Sequence, residues 1–184
     1  FEVRDLWPEL PIAIGALKSP FTKFLALWLE NISYTNSKKI VALSNGMKEG
    51  IISKGYPVNQ INVITNLSNT NAYKGLNNNK TFEVKIDNYN WDALDKLVIY
   101  TGAFGHVNDV SYLIKIANIL KIKNKRVKFI IAGEGVESNN LNSMASELDV
   151  LDKSVFIINP LEKSKIPKLY SRASVVTSLF INIK

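Results

Sequence analysis

Residues 97–135 constrain this chain more than any other stretch. They open on four apolar residues, Leu97-Val98-Ile99-Tyr100, and run straight into Thr101-Gly102-Ala103-Phe104-Gly105. A helical pattern follows, then a second apolar run from Val127 to Ala132, closed by Gly133-Glu134-Gly135. The first run is too uniformly apolar to alternate, so it predicts a strand buried on both faces, the mark of a parallel sheet covered by helices above and below. The second run behaves the same way, and Leu141, Met144, Ala145 and Leu148 after it fall on one face of a helix. Where a strand passes through glycines into a helix, the first helical N–H groups lack partners and the dipole adds about half a positive charge. Such a junction suits phosphate. Two of them on one edge of a parallel sheet predict the crevice of a nucleotide-like ligand. The plainer alternative is that these glycines only relieve tight turns.

The chain has 184 residues, 46% of them hydrophobic, enough for a real core in one domain or two small ones. It contains no cysteine and a single histidine, His106, which removes disulfides, thiolate metal sites and histidine-rich metal sites, so no metal site is expected. A cytoplasmic protein fits best. The formal charge of +7 suits an anionic partner. Five of the positive charges fall between Lys121 and Lys128, at the joint between a helix and a strand. Complementing a helix terminus and meeting solvent account for them there, no RNA-binding motif accompanies them, and no nucleic-acid partner is expected. The chain opens at Phe1 without a methionine or a signal segment and stops in a strand-like run ending at Lys184, so it reads as truncated at both ends. No apolar run is long enough to span a membrane.

In chain order, Phe1-Glu2-Val3 reads as the tail of a strand and Arg4-Asp5-Leu6-Trp7-Pro8-Glu9 as the loop at its carboxyl end. A guanidinium and two carboxylates there suit binding hydroxyls or handling a proton; a surface ion pair beside a buried tryptophan is the alternative. Ser19-Pro20 starts a helix, with serine as cap and proline in the first turn. Leu17, Phe21, Phe24, Trp28 and Ile32 form a stripe that Leu25, Leu27 and Leu29 widen, flanked by Lys18 and Lys23. Two readings stay open for helix 20–32: an ordinary buried amphipathic helix, or a surface helix touching anionic lipid headgroups or a lipid-linked substrate. Lys39 to Leu43 is a strand, Ser44 caps a helix running to about Lys54 that Gly55 ends, and Gln60 to Ile64 is the next strand. From Asn66 to Asp95 asparagines recur and apolar periodicity fades apart from Phe82-Glu83-Val84, which reads as a connection. The organisation expected is 1–66, a polar connection 67–95, and 96–184. Beyond the central unit, Ser154 to Ile158 and Ala173 to Leu179 are further strands, joined through a helix that Ser164 caps and whose first turn holds Pro167. Strands alternating with helices make this an α/β chain with parallel sheets.

Taken together these segments resemble the retaining, family 4 glycosyltransferases of the GT-B fold, and among them bacterial members that build O-antigen or capsule chains, including those resembling N-acetylfucosamine transferases. The likeness rests on Arg4-Asp5-Leu6-Trp7-Pro8-Glu9, Ala42-Leu43-Ser44-Asn45-Gly46-Met47-Lys48, Val63-Ile64-Thr65-Asn66, Tyr100-Thr101-Gly102-Ala103-Phe104-Gly105 and Ile131-Ala132-Gly133-Glu134-Gly135, in order along nearly the whole chain. It implies two Rossmann-like domains with parallel sheets. Residues 1–66 would be the end of the N-terminal, acceptor-side domain, and 96–184 the start of the C-terminal domain that binds the nucleotide-sugar donor.

The resemblance further implies that a sugar moves from a nucleotide sugar, UDP-linked by expectation, to a lipid-linked or saccharide acceptor without a metal or other cofactor, on the cytoplasmic side of the membrane. It places the diphosphate near Gly102, Ala103, Gly105 and Asn108, the nucleotide along Gly133, Glu134 and Gly135, and the base near the backbone of Asn159 and Pro160. Arg4 and Asp5 would meet the acceptor or the sugar. The family's usual arginine and lysine, which neutralise the diphosphate, are replaced here by Ala103 and Asn108, so backbone N–H groups or Lys163 would have to serve. The Glu-x7-Glu motif that grips the donor sugar does not occur within the sequence, and the isolated chain is expected to be inactive. A non-catalytic GT-B binding or scaffold subunit, or a nucleotide-sugar epimerase of the same fold, are the alternatives.

Overall fold

A computed structural model describes residues 1–74, 95–123 and 125–181. The described chain falls into two compact units, Phe1–Ser68 and the residues from Asn69 onward. The expected polar connection lies largely outside the described residues, as does Phe82-Glu83-Val84.

The first unit is a three-stranded parallel sheet in the order β1 (Glu2–Val3), β2 (Ile40–Ala42), β3 (Ile61–Val63). Ile40 pairs with Ile61, and Val3 with Ala42. A short helix, α1 (Glu9–Ala13), follows β1, and α2 (Pro20–Thr35) follows it with proline in its first turn. Ser19 takes the cap position, but its side chain makes no capping bond. Ser44 does cap α3 (Asn45–Ser53), accepting from the Met47 N–H at 3.2 Å. Gly55 ends that segment with φ +91°, a conformation a side chain resists. Val3, Tyr34, Ile40, Ala42, Ile51 and Ile61 make the core.

Helix α2 departs from the reading as an ordinary buried helix. Its buried residues are Ala26, Glu30 and Tyr34, four apart on one face. Phe21 and Phe24 are 72% and 66% exposed, and Leu25, Leu27, Trp28 and Leu29 are exposed as well. The aromatic stripe therefore points away from the core, because the inward face is claimed by a polar network. Glu30, which is buried, and Glu9, which is partly exposed, both pair with the Lys54 ammonium. Burial pulls the Lys54 pKa down, but the two carboxylates more than offset this and leave it above its usual value. Burial, with Glu30 beside it, pushes the Tyr34 phenol up.

The second unit holds the four-stranded parallel sheet β6 (Val155–Ile158), β5 (Val127–Ala132), β4 (Lys96–Thr101), β7 (Val175–Thr177). Helices α4 (Ser111–Ile122), α5 (Ser138–Glu147) and α6 (Ile166–Tyr170) connect the strands. The uniform apolarity of β4 and β5 is explained by two cores, one on each face. Tyr100, Phe129 and Ile131 pack with Leu113, Ile114, Leu141 and Ala145 on one side, while Leu97, Ile99 and Ile130 pack with Leu169 on the other. Helix α6 starts at Ile166 with Lys165 in the cap position, so Ser164 is not its cap; the Ser164 hydroxyl turns toward Glu162 at 3.4 Å.

The basic run around Lys121 complements two helix termini: Lys121 stands in the last turn of α4, and its side chain reaches the end of α5. The Lys121 ammonium donates to the carbonyl of Asp149, just past α5, and to its carboxylate, both at 2.7 Å. With Lys153 on its other side, the Asp149 carboxyl is held down at a pKa of about 2. Arg126 pairs with Asp95 at 3.3 Å and Lys128 donates to the Lys153 carbonyl. These cations are absorbed in tying elements together.

Candidate functional site

All four strands of the second unit are parallel, so their carboxyl ends, Thr101, Ala132, Ile158 and Thr177, share one edge. Gly102 and Gly133 therefore open at the same end of the sheet. The two turns are fused there. A Cβ on Gly133 would stand 1.9 Å from the Gly102 carbonyl oxygen and 2.8 Å from the Phe104 ring, and one on Gly135 would stand 2.5 Å from the Phe104 carbonyl oxygen. Only glycine permits this approach. Gly102 N–H donates to Ala132 O at 3.0 Å, Phe104 N–H to Glu134 O at 2.8 Å, Glu137 N–H to Phe104 O at 3.0 Å, and Gly133 N–H to Ile158 O at 3.0 Å. The buried Phe104 ring plugs the joint from below.

This arrangement corrects two expectations. The space between the two glycine turns is closed, so they do not form the crevice between them. Several of the expected free amides, those of Gly102, Phe104 and Gly133, are already bonded. Among the described residues the amides of Ala103 and Gly105 have no backbone or side-chain acceptor, and they remain to meet an anion. The helix after the first turn also starts later than expected. A single 3₁₀ turn over His106–Asn108 and Asp109, left-handed at φ 40°, intervene before α4 begins at Ser111. The α4 terminus is thus displaced from the glycines, and its dipole acts at a distance.

The open space lies on the other side of β4. Strands β5 and β6 were added to one side of β4 and β7 to the other, so the strand order reverses between β4 and β7. In open α/β sheets ligands bind outside the carboxyl ends at such a reversal. A hollow of about 340 Å³ sits there, lined by Tyr100, Thr101, Gly102, Ala103 and Asn108 from the β4 side and by Tyr170, Val176, Thr177, Ser178 and Leu179. The Tyr100 hydroxyl donates to the Ala103 carbonyl at 2.8 Å and fixes the turn, and burial pushes that phenol's pKa up. Thr101 and Tyr170, both in the lining, share a hydroxyl–hydroxyl hydrogen bond. The Thr177 hydroxyl donates to the Ile99 carbonyl at 3.2 Å.

Of the residues singled out from sequence, Gly102, Ala103 and Asn108 meet in this hollow. Gly105 borders a smaller one, about 130 Å³, with His106, Asp109 and Glu137, where the His106 ring pairs with the Glu137 carboxylate. Gly133 and Gly135 support the first turn, and Glu134 contributes its carbonyl while its side chain is exposed. Asn159, Pro160 and Lys163 lie on the exposed exit from β6, and none lines either hollow. Arg4 and Asp5 belong to the first unit. They follow β1 and border a hollow of about 210 Å³ with Glu30 and Tyr34, and Arg4 pairs with Glu2 at 3.5 Å. Glu9 is drawn away to Lys54, and Trp7 is 42% exposed, not buried. Sequence reasoning missed Tyr170, Thr101 and Thr177. Thr101 could have been found as the last residue of an apolar strand, but Tyr170 depends on how α6 lies over the sheet.

A parallel α/β unit with glycine-sealed turns and a hollow at its strand reversal defines an architecture of the Rossmann-like kind. Residues 81–180, more than half of the chain, match the family model for glycosyl transferases group 1. The chain belongs to that family. Its fold is that of GT-B glycosyltransferases. It superposes with a TM-score of 0.61 on Anabaena HepE in complex with UDP and glucose, at 15% identity over 82% of this chain and 40% of that one. It superposes at 0.58 on an S. aureus TarM variant in complex with fondaparinux, α-GlcNAc-glycerol and UDP, at 18% identity over 79% of this chain and 26% of that one. For a glycosyltransferase from Rickettsia africae the values are 0.59, 16%, 79% and 38%. At these identities the likeness is one of fold, and the chain spans about a quarter to two fifths of the length of those structures. A search of curated proteins found no match.

Proposed function

We propose that this chain carries the donor turn and part of the acceptor side of a retaining glycosyltransferase that moves a sugar from a UDP-sugar to a hydroxyl of a lipid-linked or saccharide acceptor, in the building of a cell-surface polysaccharide such as O-antigen or capsule. The observation that carries the reading is the hollow at the β4/β7 reversal beside the open Ala103 and Gly105 amides, within the region matching the family. In such a transfer the leaving diphosphate gains negative charge, and amides already aimed at it stabilise the transition state without reorganisation. Lys163, on the exit from β6, is the candidate for a supplementary cation, and no metal is assigned a role. Residues 1–66 serve as the acceptor-side domain and 96–184 as the donor domain, with Arg4 and Asp5 toward acceptor or sugar. The exposed stripe of α2, from Phe21 to Leu29 with Lys18 and Lys23 beside it, lies against an anionic membrane surface where a lipid-linked acceptor would be found. Among the described residues no helix is long and apolar enough to cross a membrane. Support for the donor class comes from HepE and TarM, whose structures hold UDP.

One observation favours a second reading, a binding subunit without turnover: no charged side chain lines the hollow, and Ala103 and Asn108 stand where cations are expected. Calorimetric titration with UDP and UDP-glucose tests the first claim common to both, and absence of binding at millimolar ligand contradicts both. Release of UDP from UDP-glucose in the presence of a saccharide acceptor, by the chain extended with its flanking sequence, separates transfer from binding alone.

A further inference from the structure

We propose that the outward rib of α4 is a second membrane contact, in which Tyr112, Ile119 and Ile122 enter the headgroup region of an anionic lipid surface while Lys115, Lys123 and Lys125 pair with its phosphates. The contact belongs to the second unit and is independent of the α2 stripe, which belongs to the first.

The rib follows from helical spacing. Leu113, Ile114 and Ala117 form the buried face of α4 and pack in one core with Phe129 and Ile131 of β5. Tyr112, Lys115, Ile119 and Ile122, at steps of three, four and three, line the opposite face. Its three apolar members are 53%, 51% and 74% exposed. Exposed apolar side chains scattered singly are ordinary on a protein surface. These three share one rib of one helix, interleaved with lysine.

Charge marks the same place. Residues 110–133 hold six cations and no carboxylate side chain, so this stretch accounts for six of the seven net positive charges of the chain. Lys121, Arg126 and Lys128 are engaged by neighbouring elements. Lys115, Lys123 and Lys125 are exposed, and among the described residues their ammonium groups have no hydrogen-bond or ion-pair partner. The fold makes no use of these three charges, and they are free to meet an anionic surface.

A lipid surface suits both halves of the rib. Each lysine carries its charge on a flexible apolar stem, so the ammonium stays at the level of the phosphates while the neighbouring isoleucines lie deeper. A folded acidic protein would also answer the lysines, but side chains projecting from a convex helix would require a matching groove in it. A bilayer interface yields to them without one.

The sequence contains no cysteine, so Ile122→Cys can carry a single polarity-sensitive fluorophore on the full chain. Ser146→Cys, exposed on α5, is the control position, and Ile119→Cys replaces Ile122→Cys should that variant not fold. Each labelled chain is titrated with vesicles of phosphatidylglycerol and of phosphatidylcholine. The expected result is a blue shift at position 122 on phosphatidylglycerol alone and none at 146. Lys115→Gln, Lys123→Gln and Lys125→Gln together should weaken that response about a hundredfold, at about fivefold per lysine. A probe at 122 that stays unshifted on vesicles that do sediment the chain overturns the proposal and leaves the α2 contact standing. Failure to bind phosphatidylglycerol at all overturns both. Equal shifts on the two lipids, or a triple variant that binds as wild type does, remove the role of the lysines and overturn the proposal. A probe silent on vesicles but responsive to polyglutamate would make the rib a site for an acidic protein and overturn the lipid assignment.

Discussion

Replacing Gly133 by alanine probes the joint on which the site is built. The added Cβ would sit 1.9 Å from the Gly102 carbonyl oxygen, with the Phe104 ring at 2.8 Å and the Gly102 carbonyl carbon at 3.1 Å. Two of these three contacts are backbone, and the ring is fully buried, so none can swing aside as the end of a flexible side chain would. The turns must part by about 1 Å, an overpacking that costs about 1–3 kcal/mol. The movement also stretches the bonds from Gly102 N–H to Ala132 O and from Phe104 N–H to Glu134 O, now 3.0 and 2.8 Å. At about 1 kcal/mol each, their loss brings the total to about 3–5 kcal/mol. Urea denaturation followed by circular dichroism measures this. Gly46→Ala is the control: its Cβ meets nothing closer than the Ser44 hydroxyl at 4.0 Å, inside α3, and should stabilise by about 0.5–1 kcal/mol. Since the open amides of Ala103 and Gly105 flank Phe104, Gly133→Ala should also lose UDP binding at urea concentrations where it remains folded. A Gly133→Ala protein within 0.5 kcal/mol of wild type, binding UDP normally, would refute the reasoning.

Other expectations follow from the first unit and the surface. Lys54→Met leaves buried Glu30 without its counter-charge and should cost about 3 kcal/mol, while Lys54→Met with Glu30→Leu recovers most of that loss in the same denaturation assay. Asp149 has a folded pKa of about 2, below the 3.8 of an unperturbed carboxyl, so its contacts with Lys121 and Lys153 contribute fully above pH 4 and fade as the pH falls toward 2; carbon-detected NMR of its carboxyl should show the midpoint in that range. The outward stripe of α2 should bring the chain down with vesicles of phosphatidylglycerol, and Phe24→Ser with Trp28→Ser should abolish cosedimentation without loss of helix, since both side chains are exposed. Equal sedimentation of wild type and double variant would remove the membrane role.

How much of this was legible in the sequence depends on which interaction dominates locally. Strands β4 and β5 were readable because burial on both faces erases alternation, and Gly102 and Gly133 because a strand running into glycine has few other uses. Ser44 was readable as a cap because capping is decided by neighbours in sequence. The stripe of α2 was ambiguous, since periodicity shows that a helix has an apolar face without saying which face is inward; here Glu30 and its ion pair with Lys54, from a segment 24 residues on, decide it. The position of the hollow was not readable either. It depends on β7 joining β4 on the side away from β5, a pairing more than 70 residues apart in sequence, as between Val98 and Val175. Tyr170 enters the site by the same long-range pairing, as the end of the short helix that leads into β7.

The most direct measurement is a titration of isotope-labelled chain with UDP-glucose, following backbone amides by NMR. The account predicts that Ala103 and Gly105 shift most, joined by Thr101 and Tyr170, while Lys96 and Lys128 at the far end of the same strands stay unmoved. Shifts gathered at that far end, or none anywhere at millimolar ligand, would contradict it.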